Sequence, residues 1–168
     1  MSTDHCTIEF TLRRADTDDG TLVTRLIEEF CQLDHHEFDP DRVELALRPL
    51  LVSDEFGVVY LIEQPTDTAS PANPCVDNAL GYSIVTWGYS IESGGREGLI
   101  DEFYLRRPGT GLGSRVFPEL LRALAPYQLK VIFLETERPN TAARRFYQRQ
   151  GFVEDDSIWM STTVIAGN

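Results

Sequence analysis

RRPGTGLGSRVF, residues 106–117, is the stretch on which the reading of this chain turns. Gly109, Gly111 and Gly113 alternate with Thr110 and Leu112, with Ser114 next. Two arginines precede them, and the apolar helical period Val116, Phe117, Leu120, Leu121, Leu124 follows. Closely spaced glycines in a loop supply backbone angles, or an approach distance, that other residues refuse. A helix start directs its first N–H groups outward and carries about half a positive charge, so such a loop suits an anion, commonly a phosphate. Two familiar nucleotide loops are excluded by spacing. The dinucleotide fingerprint needs G-x-G-x-x-G in a first strand-to-helix turn, whereas here the pattern is G-x-G-x-G, late in the chain. The phosphate loop of the G-x-x-x-x-G-K-S/T type needs a Gly-Lys pair that Gly109–Ser114 lacks. Taken alone, the loop reads more readily as a glycine-rich strand-to-helix turn that binds nothing.

Working outward, the 168 residues read as one α/β domain, 1–168. IEFTLRRA (8–15) alternates as a strand. Leu22, Val23, Leu26, Ile27 and Phe30 then repeat with helical spacing after Asp18 and Asp19. Asp39-Pro40 is a cap and first-turn pair for a second helix with Val43, Ala46, Leu47, Leu50 and Leu51 on one face. GVVYLIEQ (57–64) and LGYSIVTWGYSIE (80–92) read as strands, and residues 65–78 between them as a proline-rich hairpin insertion. LIDEFYL (99–105) is the strand before the glycine loop, and VIFLETE (131–137) the strand after its helix. Asn140 caps a short helix ended by Gly151, and SIWMSTTV (157–164) is expected to close the chain as a strand. The order β-α-α-β-β-β-α-β-α-β predicts a mixed, mostly antiparallel sheet, with one parallel pair across the helix that follows the glycines.

Composition excludes several classes of function. A formal net charge of −12 disfavours nucleic acid and is compatible with a cationic ligand. No run of about 18 apolar residues occurs, so no membrane span is expected, and MSTDHCTIEF lacks the pattern of a secretory leader. Cys6, Cys31 and Cys75 fit neither a disulfide framework nor a metal site, which points to a reducing cytoplasm and to no metal.

LIDEFYLRRPGTGLGSRVF followed by NTAARRFYQRQGF resembles the GCN5-related N-acetyltransferase family. In that family an apolar strand leads into R/Q-x-x-G-x-G/A, and a later asparagine opens a short helix that carries F-Y and ends in G-F. The resemblance spans nearly the whole chain and implies a splayed sheet and acetyl-CoA as acyl donor. By the same resemblance, the backbone of Gly109, Thr110, Gly111, Leu112, Gly113 and Ser114 would hold the coenzyme A pyrophosphate. Phe103, Tyr104 and Leu105 would pair with the pantetheine arm, and Asn140 would be both cap and coenzyme A contact. Pro108 stands where the family usually has Gln or Arg, with Arg106 and Arg107 beside it.

The reaction implied is acetyl transfer to an amine. An alkylamine with pKa near 10.4 is almost wholly protonated at pH 7, and neutralising it costs about 4.6 kcal/mol. A carboxylate can accept that proton. Asp101 and Glu102 are the candidates, expected on opposite faces of their strand, with Glu102 favoured for its longer reach. Tyr147 sits where the family's thiolate-protonating tyrosine sits, and lies two helical turns from Asn140. A backbone N–H of the Phe103–Leu105 strand would meet the oxyanion.

The resemblance implies that the helix-loop-helix region shapes the acceptor site, and between Asp16 and Asp41 that region carries nine acids and one arginine, Glu28 and Glu29 among the acids. The stretch around Trp87 also resembles the diamine acetyltransferase branch, which implies a cation–π role for that ring. The expected partner is a small-molecule cationic amine: a polyamine, a diamine or an aminoglycoside-like sugar. Self-association as a homodimer stays open. A protein or peptide acetyltransferase and a non-catalytic acetyl-CoA sensor are the alternatives.

Overall fold

The computed structural model describes residues 8–65 and 78–163. The chain groups into two compact units, one ending at Glu135 and one beginning at Thr136. The expected insertion at 65–78 falls, apart from its two end residues, outside the described residues, as do Cys6, Cys75 and Val164.

In the first unit the order is β1 (Thr11–Arg14), α1 (Gly20–Asp34), α2 (Pro40–Val52), β2 (Gly57–Glu63), β3 (Ala79–Ser90), β4 (Gly95–Leu105), α3 (Leu112–Ala123) and β5 (Val131–Leu134). The strands form one sheet in the order β1-β2-β3-β4-β5. The first four are antiparallel, and β5 runs parallel to β4. The second unit holds α4 (Thr141–Arg149). The mixed sheet is the one the element order predicts.

Local chemistry explains where the helices begin and end. The Asp39 carboxylate accepts from Asp41 N at 3.1 Å and Arg42 N at 3.2 Å, with Pro40 at the first helical position, where its missing N–H costs nothing. Asn140 caps α4 by accepting from Ala143 N at 3.1 Å, and Gly151, at φ +92°, follows the helix end. Helix α3 runs through Pro118, which leaves the Ser114 carbonyl without its in-helix partner. Ser114 is exposed, so water can satisfy it. Pro49 acts in the same way on exposed Leu45 in α2.

Side chains alternate between two faces of the sheet. Val59, Leu61, Tyr82, Ile84 and Tyr104 pack with Val23, Leu26, Ile27, Leu47, Leu50 and Leu51 of α1 and α2. On the other face Ile62 and Leu80 pack with Leu112 and Val116 of α3, and Phe103 meets Phe117 edge-on at 5.3 Å.

Three strand expectations need correction, the first being β5, expected over 131–137, which ends at Leu134. β1 begins at Thr11 rather than Ile8, because its last rung joins Thr11 to Glu63, where β2 ends. Ile8 and Phe10 still pack against the α3-side core without a ladder. The closing strand expected at 157–164 is not formed over its described residues 157–163. Apolar alternation supplies a face but no ladder partner, and Ile158, Trp159 and Met160 remain 82%, 73% and 92% exposed.

Phe117 is fully buried. Phe117→Ala should therefore lower stability by about 3–5 kcal/mol, whereas Asp39→Ala, which removes only a cap, should cost about 1 kcal/mol. Urea denaturation of the two variants beside the parent measures both.

Candidate active site

β4 is longer than its parallel neighbour. The last rung pairs Ile100 with Leu134, where β5 stops, while β4 continues for five residues, Asp101–Leu105. A sheet edge of this kind offers main-chain groups to an extended ligand. The chain then turns through the glycine loop. Gly109 and Gly111 have φ of +77° and +76°, and a Cβ built on either would meet nothing within 4 Å. Positive φ strains other residues, and the open space lets a bulky group approach the backbone. Thr110 donates its hydroxyl to the Arg107 carbonyl at 2.9 Å, closing the turn. Gly111 is the N-cap of α3 and has no side chain with which to cap it. The N–H groups of Leu112, Gly113 and Ser114 in the first turn therefore suit an external acceptor. Pro108, Gly109 and Thr110 are exposed, as is Arg107. Arg106 turns away, donating to Glu29 at 2.7 and 2.6 Å and to the Ala79 carbonyl at 2.9 Å. Of the two arginines beside Pro108, only Arg107 faces solvent at the loop.

Glu102 lies at a β-bulge. Ile84 is opposite Glu102 and Val85 is opposite Ile100, so Asp101 is the extra residue. The period-two rule that puts Asp101 and Glu102 on opposite faces does not carry through a bulge, and the Asp101 charge lies close enough to act on Glu102. Tyr82, fully buried on β3, donates its hydroxyl to Glu102 Oε2 at 2.6 Å. Burial pushes the Glu102 carboxyl above its ordinary value. The Tyr82 bond opposes that shift, the Asp101 charge adds to it, and His36 opposes it. Asp101 is also pushed up by desolvation, but its side chain is exposed, so water still serves its charge.

The face that holds Glu102 is aromatic and acidic. Tyr82 and Tyr104 lie 5.9 Å apart, as do Tyr104 and Phe30 of α1. The Tyr104 hydroxyl reaches Glu29 at 3.3 Å, where the bidentate pair with Arg106 already balances the Glu29 charge. Glu29 thus ties α1 to the end of β4 and is not a free carboxylate awaiting a cation. Glu28 is half-buried and accepts from Gln32 at 3.4 Å. Trp87 lies five residues from Tyr82 on a strand whose register with β2 runs unbroken from Gly81 to Thr86, hence on the opposite face. Its ring packs 4.7 Å from Tyr127, its Nε1 donates to the Asp54 carbonyl at 2.9 Å, and the Arg96 guanidinium lies 5.9 Å over it. The cation beside Trp87 belongs to the chain itself, and Trp87 and Glu102 do not face one ligand.

In the second unit, Tyr147 sits in an aromatic group with Phe146 at 5.0 Å and Phe152 at 5.9 Å. Burial pushes its hydroxyl up to about 12, so it is protonated at neutral pH. No group of His, Cys, Asp and Glu able to hold a metal occurs among the described residues. No helix there is long and apolar enough to cross a membrane.

The sequence profile of the acetyltransferase (GNAT) family matches residues 50–152, from the end of α2 through α4. The chain belongs to this family. No curated protein sequence matches it significantly. Among solved structures, an integron cassette protein from the mobile metagenome of Cole Harbour Salt Marsh superposes with a TM-score of 0.73 at 25% identity, over 93% of this chain and 91% of that one. A predicted acetyltransferase of Clostridium acetobutylicum, solved with acetyl-CoA, gives 0.71 at 15% identity, over 92% and 96%. The aminoglycoside N-acetyltransferase AAC(6')-Iy, solved with CoA, gives 0.70 at 11% identity, over 92% and 95%.

Within this GNAT chain, sequence reasoning missed the Tyr82–Glu102 bond, the Glu29–Arg106 pair and the bulge at Asp101. Tyr82 reads as a core residue in LGYSIV, and nothing local signals that its hydroxyl meets a carboxylate.

The raised Glu102 carboxyl has a consequence for stability. An acid whose folded pKa lies above its unfolded value near 4.3 destabilises the fold once pH rises through the folded value. Glu102→Gln, whose amide oxygen can still accept from Tyr82, should raise Tm at pH 7. The gain should shrink to nothing as pH falls toward about 4. Thermal melts across that range check it.

Proposed function

We propose that this chain transfers an acetyl group from acetyl-CoA to a small primary amine bearing additional positive charge. The observation that carries the reading is a buried, hydrogen-bonded carboxylate on the stretch of β4 that outruns its β5 partner, followed by a glycine loop leading into α3. The loop fits the donor chemically, because Gly109 and Gly111 open space beside a helix start rich in N–H groups. The backbone of Gly109–Ser114 would hold the pyrophosphate, and Phe103, Tyr104 and Leu105 the pantetheine arm. When bound, the donor supplies an acetyl group activated as a thioester. Both a predicted acetyltransferase solved with acetyl-CoA and an aminoglycoside acetyltransferase solved with CoA share the fold.

Glu102 is the base in this reading. Its raised carboxyl narrows the gap to the protonated amine, which eases proton transfer at neutral pH. Tyr147, protonated near pH 7, is the acid for the departing thiolate, and Asn140 would contact the coenzyme. For the acceptor, the acids left unmatched by a basic partner favour a cation. Glu28 is half-buried, and Glu37 is exposed in the connection between α1 and α2. Glu29 and Trp87 leave the acceptor set, for the pairings described above.

A thiol-release assay over a panel of amines tests the reading. Turnover should be higher with diamines, polyamines or aminoglycosides than with neutral-tailed monoamines, and the preference should weaken as salt rises. Glu102→Gln should lower kcat by roughly 10²–10⁴-fold. Tyr147→Phe should lower kcat more than it weakens acetyl-CoA binding. Donor binding without thiol release for any acceptor would overturn the enzyme reading in favour of a sensor, and turnover confined to lysine peptides would overturn the small-amine acceptor.

A further inference from the structure

Two adjacent residues of β3 hold Glu102 from two sides. Tyr82 donates to its carboxylate Oε2 at 2.6 Å, and the hydroxyl of Ser83 donates to its main-chain carbonyl at 3.0 Å. Both side chains are fully buried, and Ser83 is the only buried residue among those described that is neither apolar nor aromatic. A buried hydroxyl is retained only where it finds a partner, and here the partner is the residue that follows the bulge. In a regular ladder the cross-strand main-chain bonds alone set a residue's position. At a bulge one rung is disrupted, so a side-chain bond to the carbonyl restores what the ladder loses.

We propose that Tyr82 and Ser83 are positioning residues for the acetyl-transfer base: Ser83 pins the bulged backbone, and Tyr82 engages Oε2 of Glu102, leaving Oε1 to receive the amine proton. The proposal rests on the reading of Glu102 as that base. Oε1 has no hydrogen-bond partner among the described residues. In the step itself the ammonium N–H bond breaks, its electron pair stays on nitrogen, and the proton moves to Oε1. The neutral acid so formed returns the proton to water.

Tyr82 suits a fixed donor. Burial, then the facing carboxylate, push its hydroxyl far above the ordinary phenol value, so it does not ionise in the working range. The other titratable groups around the pair come from three elements. Asp101 and Tyr104 lie on β4, Cys31 lies on α1, and His36 lies in the connection to α2. Asp101 and His36 act on Glu102 through charge, Cys31 and Tyr104, both pushed up by burial, carry none near neutral pH, and Tyr82 holds Glu102 by a direct bond.

The test follows thiol release against pH together with the carboxyl titration of Glu102, read by carbon-13 NMR and assigned with Glu102→Gln. Tyr82→Phe removes a bond that favours the charged carboxylate. The Glu102 titration and the acid limb of kcat/KM should therefore move together to higher pH by about one unit, and plateau kcat should fall, though by less than in Glu102→Gln, because the carboxylate stays but loses its fixed orientation. Ser83→Ala should lower plateau kcat and leave the limb in place. Placing 3-fluorotyrosine at position 82, a near-isosteric and more acidic phenol, should move the limb to lower pH. This variant serves if Tyr82→Phe folds poorly. A Glu102 titration unmoved by both changes at Tyr82, in an enzyme that Glu102→Gln still inactivates, overturns the Tyr82 assignment and leaves Glu102 as base. Full plateau activity in Glu102→Gln overturns the reading beneath it.

Discussion

Strand β4 outlasts its parallel partner, and the candidate site is organised around that mismatch. β5 covers β4 only as far as Ile100, and all five residues beyond that rung bear on the proposed chemistry. A sheet edge inside a folded domain is ordinarily a liability, because its main-chain groups call for partners. Here the stretch beyond the last β5 rung begins with the bulge at Asp101 and leads directly into the glycine loop. A short β5, a bulge and a left-handed pair of glycines are one connected feature of the backbone. It brings an acid, an edge and a helix start into sequence along some ten residues.

Holding a carboxylate at such a place has a thermodynamic cost. Glu102 sits among Tyr82, Tyr104 and the α1 side of the core, where burial disfavours its charge. The Tyr82 hydroxyl offsets part of that cost and at the same time restricts the carboxylate's orientation. Glu29 shows the other solution on the same face. Arg106 and Tyr104 both donate to it, so its charge is matched, and its role becomes the mechanical one of tying α1 to the end of β4. Two glutamates with similar surroundings thus diverge: one is paired with a cation and structural, and the other, given only neutral hydroxyl support, is left basic. The distinction lies in the partners together with the burial that pushes the Glu102 carboxyl up.

Much of the fold was legible in the chain because it rests on local rules. Asp39-Pro40 and Asn140 announce their helices through bonds made within three residues. Gly109 and Gly111 announce a backbone that other residues resist. The run of three strands without helices forces antiparallel pairing, and the β-α-β unit forces a parallel one. The closing strand at 157–163 fails by the same logic, since alternation specifies a face without specifying a neighbour.

What the sequence determined by itself, then, is the element order as far as α4, the helix caps, the anion-suited loop and the candidacy of Asp101 and Glu102, because each depends on residues close together along the chain. Tertiary structure alone decided that Glu102 receives the Tyr82 hydroxyl, that Arg106 is spent on Glu29, and that Trp87 lies on the far face against Tyr127. Those outcomes depend on strand register and on one inserted residue, and a shift of a single position in a period-two strand moves every side chain to the other side of the sheet.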